Sequence, residues 1–166
     1  MKRILNIIVA AALAMLCQYS YASDDKYEES PAVNVLEAGK KTKRLEGSTL
    51  KMARPILKKT PISVIMDNIE MMMICPLEKE KGELTERTEK MLDRYMLVRE
   101  IDDEISNMFI YIDSPDNDRF SELILYTKSP EPIIMLFEGD FTVEDLMKVG
   151  ELSVQDRKDR IRARHQ

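Results

Sequence analysis

Few side chains in this sequence have a type and spacing that could do chemistry, and each has a plainer explanation. The chain has two cysteines and one histidine. Cys75 closes the apolar run Ile69–Cys75, just before Pro76, and no sequence neighbour would lower its pKa. That setting suits a small buried hydrophobe rather than a reactive thiolate. His165 stands one residue from the end of the chain, so a Ser-His-Asp or Cys-His arrangement with a preorganised imidazole is not expected. Met71-Met72-Met73 would offer soft thioethers to copper(I) only if all three converged. On consecutive strand positions they alternate faces, so core packing is the expectation. The stretch Asp113-Ser114-Pro115-Asp116-Asn117-Asp118 has three carboxylates. It lacks EF-hand spacing, a mid-loop glycine and a closing glutamate, and reads as a polar turn. Asp102-Asp103-Glu104 are contiguous acids at a turn that point apart into water, whereas paired-carboxylate catalysis needs two groups at a set separation. The sequence contains no GxGxxG, P-loop or HExxH motif. No catalytic residue, metal ligand or cofactor is expected, and an enzyme is not the reading.

What positions these residues begins with the N-terminus. Met1-Lys2-Arg3 is a basic head, Ile4 to Leu16 an apolar stretch broken only by Asn6, and Gln18 to Tyr21 a more polar segment ending at Ala22. This is the secretory pattern, with small Ser20 and Ala22 at the two positions a signal peptidase reads. Cleavage is expected between Ala22 and Ser23, making residues 1–22 a signal peptide. The apolar run is short of the ~20 residues that span a bilayer. Cys17 raises the alternative of a lipoprotein, but Met15-Leu16 ahead of it is a poor lipobox, and a lipid anchor is not expected.

Residues 1–22 carry Lys2 and Arg3 and no acid, so the net charge of −5 becomes −7 for the remaining 144 residues. A chain of that size buries about two thirds of its unfolded surface, enough for one core without disulfide or metal. With only Cys75 left, an intrachain disulfide is impossible. The acidic balance argues against nucleic acid and anionic lipid as partners.

Residues 23–47 read as a polar, mobile lead-in, with a short strand conceivable around Val33, Val35 and Leu36. Gly47-Ser48 sets up a helix with Ser48 as N-cap; Leu50, Ala53, Ile56 and Leu57 form its apolar face, and Pro55 should kink it. Pro61 opens a second short helix or turn with Ile62, Ile65 and Met66. Ile69–Cys75 reads as a strand, Glu83–Tyr95 as an amphipathic helix and Met96–Ile101 as a strand. Three strands follow at Asn107–Asp113, Phe120–Lys128 and Ile133–Glu138, linked closely enough to be antiparallel neighbours. Thr142 should cap a last helix to about Gly150, with Asp145 completing an acidic capping box and Phe141 and Leu146 the hydrophobic staple. The expected fold is α+β: a mostly antiparallel sheet of about four to five strands with helices packed on one face, a single domain over 48–152. Residues 153–166 form a charged tail, with Arg157, Lys158, Arg160, Arg162 and Arg164, read as solvated.

The strands do not alternate as a half-solvated sheet should. Phe109 and Tyr111 share one face of their strand and Ile124 and Tyr126 one face of the next. Either helices and the N-terminal segment cover this face, or Phe109, Tyr111, Ile124 and Tyr126 form an apolar, tyrosine-bearing surface for a partner.

Four segments together resemble the family called domain of unknown function 4252. They are the helix beginning Gly47-Ser-Thr-Leu-Lys-Met-Ala, the Ile69–Cys75 strand, Phe120-Ser-Glu-Leu-Ile-Leu-Tyr and the closing Glu138-Gly-Asp-Phe-Thr-Val-Glu-Asp-Leu. The resemblance spans residues 45–152. It implies a small exported protein of the Bacteroidetes and hence a Gram-negative envelope, with the periplasm as first location. It carries no catalytic residues. Many members look like lipoproteins, and Leu16-Cys17 departs from that pattern. The functional expectation is a non-catalytic envelope protein that binds another envelope protein, with a homo-oligomer open. The alternative is a binder of an apolar small molecule or lipid between helices and sheet.

Overall fold

The computed structural model describes residues 30–58, 61–77, 82–102, 107–113, 118–129 and 131–148. Helix α1 (Pro31–Glu37) leads into strand β1 (Lys43–Glu46) and helix α2 (Gly47–Leu57). Two short 3-10 turns, Pro61–Val64 and Met66–Asn68, precede β2 (Ile69–Pro76) and α3 (Glu83–Leu92). Strands β3 (Met96–Asp102), β4 (Asn107–Ile112), β5 (Arg119–Ser129) and β6 (Ile133–Thr142) follow, and α4 covers 143–148. The expected signal peptide with its Ala22–Ser23 junction, Cys17, the tail 153–166, His165 and the middles of both acidic turns lie outside the described residues.

Local chemistry explains the helix starts. Ser30 caps α1, its hydroxyl accepting the Val33 N–H at 3.2 Å, and Pro31 takes the first helical position, where its missing N–H costs nothing. At α2 the expected Ser48 cap is replaced by a tighter turn. Gly47 adopts φ 53°, and the Thr49 hydroxyl donates to the Glu46 carbonyl at 2.6 Å while accepting the Glu46 N–H. The α4 capping box forms as expected. Asp145 Oδ2 accepts the Thr142 N–H at 3.0 Å, and Thr142 Oγ1 accepts the Asp145 N–H at 3.2 Å. Both staple residues, Phe141 and Leu146, join one apolar cluster.

Among the described residues all strand pairings are antiparallel, and the sheet has six strands, not four to five, in the order β1-β2-β6-β5-β4-β3. The last strand therefore sits in the middle. It reaches Thr142, beyond the expected end at Glu138, because Phe141 pairs with Phe120 and both rings are buried. Gly139 makes the close crossing to β2 possible: a Cβ there would lie 2.0 Å from the Asn68 carbonyl oxygen.

Helices cover both faces of the sheet, not one. On the first, Leu50, Ala53 and Leu57 of α2 pack with Met72, Ile74, Ile112, Leu123, Leu125 and Phe137. On the second, Ala32, Val33 and Leu36 of α1 and Met91 and Leu92 of α3 pack with Met71, Met73, Cys75, Ile134 and Leu136. Two apolar layers demand strands that are apolar on both sides, which is why β6 shows no alternation. This packing also corrects, from residue 30 on, the reading of 23–47 as a mobile lead-in. Ala32, Val33, Leu36 and Leu45 are buried, and β1 pairs with β2 through Leu45 and Met72. Full burial of a side chain such as Leu36 is worth about 1.5–3 kcal/mol, enough to hold a seven-residue helix that would not persist alone.

Candidate functional site

The pairing of β4 with β5 sets Tyr111 opposite Ile124 and Phe109 opposite Tyr126. The four residues named from the sequence thus do come together on one face as two cross-strand pairs. The Phe109 and Tyr126 ring centroids lie 6.2 Å apart, tilted by 38°. Only half of this group is available as a surface. Ile124 and Tyr126 are buried in the layer beneath α1 and α3, while Phe109 and Tyr111 pack at its margin and remain half-buried.

Edge strand β3 extends that margin. Leu97 stands opposite Tyr111 and Glu100 opposite Phe109. Leu97 is 47% exposed and its neighbour Met96 45%. The result is a strip, Leu97–Tyr111–Phe109, running outward from the closed layer. The Lys128 ammonium covers its inner end, 4.9 Å from the Phe109 centroid and 5.6 Å from that of Tyr126. The rest of the rim is acidic. Burial pushes the Tyr111 phenol up, and the negative charges of Asp93, Glu100 and Glu89 push it further the same way. Tyr126 is raised by burial, then by Glu89 and by Tyr111. The sequence predicts a strand over Met96–Ile101 but does not single out Leu97 and Glu100. Their place on the strip depends on the β3–β4 register, which no local pattern reveals.

A polar cluster lies in the same layer. Glu122, buried on β5, accepts a 2.5 Å hydrogen bond from the Tyr95 hydroxyl. Burial is the main cause that raises the Tyr95 phenol well above its ordinary range, followed by the hydrogen bond to Glu122 and its charge. The phenol therefore stays protonated and works as a donor. Asp113 holds the start of β5. Its carboxylate accepts the Ser121 N–H at 3.1 Å, the Glu122 N–H at 3.0 Å and the Ser121 hydroxyl at 2.6 Å. These bonds satisfy donors where the β5–β6 register shifts between Phe120 and Glu122.

Cys75 is fully buried, with Sγ 3.8 Å from the Pro76 carbonyl oxygen. Burial raises its pKa, outweighing a hydrogen bond with Thr42 that lowers it. The thiol is thus a packed, protonated group. Met71 and Met73 fall in one layer and Met72 in the other, so the three sulfurs do not converge. Among the described residues no group of three or more His, Cys, Asp or Glu side chains is placed to hold a metal ion. No helix among them is long and apolar enough to cross a membrane.

The molecule is an α+β protein in which helices sandwich a single antiparallel sheet, with a half-open aromatic strip at one edge. The chain belongs to the family described as domain of unknown function (DUF4252), whose model matches residues 27–149. That match starts well before residue 45, taking in α1 and β1, as their burial requires. No curated protein and no solved structure matches the chain significantly.

Proposed function

We propose that this chain is an exported, non-catalytic protein of the cell envelope, resident in the periplasm, that works as a protein-interaction module. The observation that carries this reading is the strip Leu97–Tyr111–Phe109, an apolar and aromatic surface on one face of the sheet edge. A tyrosine with one wet edge supplies large contact area at low entropic cost, the chemistry that enriches it at interfaces. Export rests on the basic, apolar and polar succession of residues 1–22 with its small residues at Ser20 and Ala22. The absence of nucleophile, metal and cofactor motifs from the sequence supports a binding role.

The test is in-cell crosslinking of a tagged chain, followed by mass spectrometry of captured envelope proteins. A specific partner is expected, and it should be lost with Tyr111→Glu while circular dichroism stays unchanged. Identical capture by the wild-type and Tyr111→Glu chains would remove this surface from the reading.

The alternative, an apolar small molecule or lipid held between helices and sheet, has one observation in its favour. The Thr85 and Thr88 hydroxyls on the buried side of α3 have no hydrogen-bond partner. Buried hydroxyls call for partners, and a guest with an acceptor would provide one. Capture of no protein, together with a co-purifying small mass in native mass spectrometry, would transfer the function to that site.

A further inference from the structure

We propose that β3 is an acceptor edge, to which an extended segment of a partner protein, alternating apolar and basic residues, adds as a seventh strand. The proposal rests on the interaction reading above and says how the partner is held.

The two edges of the sheet are unequal. β1 has four residues, and α2 follows it at once. Its Arg44 is tied to Glu37 at 2.7 Å and to Glu46 at 3.4 Å. A short edge of this kind offers little to a new strand. β3 has seven residues and, among the described residues, pairs with β4 alone. Every edge strand leaves a row of N–H and C=O groups facing outward, and those of β3 lie beside two exposed large apolar side chains, Met96 and Leu97. At ~3.3 Å per residue, β3 spans roughly 23 Å, room for a partner segment of similar length.

Side-chain chemistry selects the occupant. Because strands alternate, every second residue of an added strand would lie on the face that carries Leu97 and Tyr111, extending the strip by one strand. Around it stand Glu89 in α3, Asp93 just after α3 and Glu100 on β3, with Lys128 at the inner end, while Arg99, opposite Ile110, belongs to the other face. A second copy would bring this acidic edge against itself, and the chain as a whole carries −5. Like charges directly opposite across strands destabilise pairing, whereas a basic strand is complementary.

The experiment uses the chain purified after export and synthetic peptides of lysine and valine, read by fluorescence polarisation. An alternating Lys/Val peptide is expected to bind about tenfold more tightly than a block peptide of the same composition, and more tightly than an alternating Glu/Val peptide. Methylating the backbone nitrogens of one alternate set, all valines or all lysines, removes the donors that face β3. One methylated peptide should therefore lose binding and the other keep it. Leu97→Lys should weaken binding by about tenfold. Equal binding by both methylated peptides, or binding unchanged by Leu97→Lys, would overturn strand addition. Tighter peptide binding after deletion of residues 149–166 would make the chain's own tail the occupant. A dimer lost on Leu97→Lys would make it a second copy. Either result overturns the proposal. If no peptide binds but Tyr111→Glu still abolishes capture in cells, edge addition falls and the interaction reading stands.

Discussion

Cys75, Tyr95, Tyr111 and Tyr126 are all weak acids that the fold keeps neutral, and burial is the leading cause in each case. Their folded pKa values lie above the ordinary values of 9.0 for the thiol and 10.0 for the phenols. As pH rises through those values the unfolded chain releases protons that the folded chain retains. Stability is thus fully present below about 9 and declines above it. Urea midpoints recorded against pH should fall from about 9 upward, and Tyr95→Phe should flatten the decline. An unchanged slope in that variant would mean Tyr95 ionises as easily folded as unfolded. At this scale, whatever follows from neighbours in sequence was legible: the alternation of Met71, Met72 and Met73, and the burial of Cys75 before Pro76. The Tyr95–Glu122 bond was not, since the two lie 27 residues apart and meet only through the sheet register.

Among the elements, those with long periodic patterns or cap chemistry were readable, and the shortest were not. α3 carries an apolar stripe over ten residues, and α4 announces itself through Thr142 and Asp145. The Asp145 carboxylate does more than the sequence implied. It also accepts from the Asn68 side chain at 3.3 Å, fastening α4 to the turn before β2. Asp145→Ala should cost about 1 kcal/mol in denaturant unfolding from the cap alone. A smaller loss in the Asn68→Ala background would reveal the cross-link through a double-mutant cycle. α1 escaped notice because seven residues are too few for a periodicity to declare itself, and β1 has only four. The candidate surface was half legible for a related reason. Alternation put Phe109, Tyr111, Ile124 and Tyr126 on one face, but only the docking of α1 and α3 decides which of them stay open.

Over the whole molecule, two apolar layers share one sheet, and the second is closed by α1 together with α3. Leu36→Ala should therefore cost about 2–5 kcal/mol, the range of a core truncation, where a mobile lead-in would show no effect. Thermal melts of that variant decide the point. The strand order has a consequence of another kind. β2 and β5 are neighbours only of β6 and of strands toward their own edges, so until β6 is in place the sheet is two unconnected pieces. β6 joins residues 69–76 to residues 119–129, and among the described strands it is the last to be synthesised. Premature folding is thus hard to complete while the C-terminal part of the chain is still being made. If the chain is exported as proposed above, a sheet whose keystone arrives last would keep the polypeptide threadable through a translocation channel.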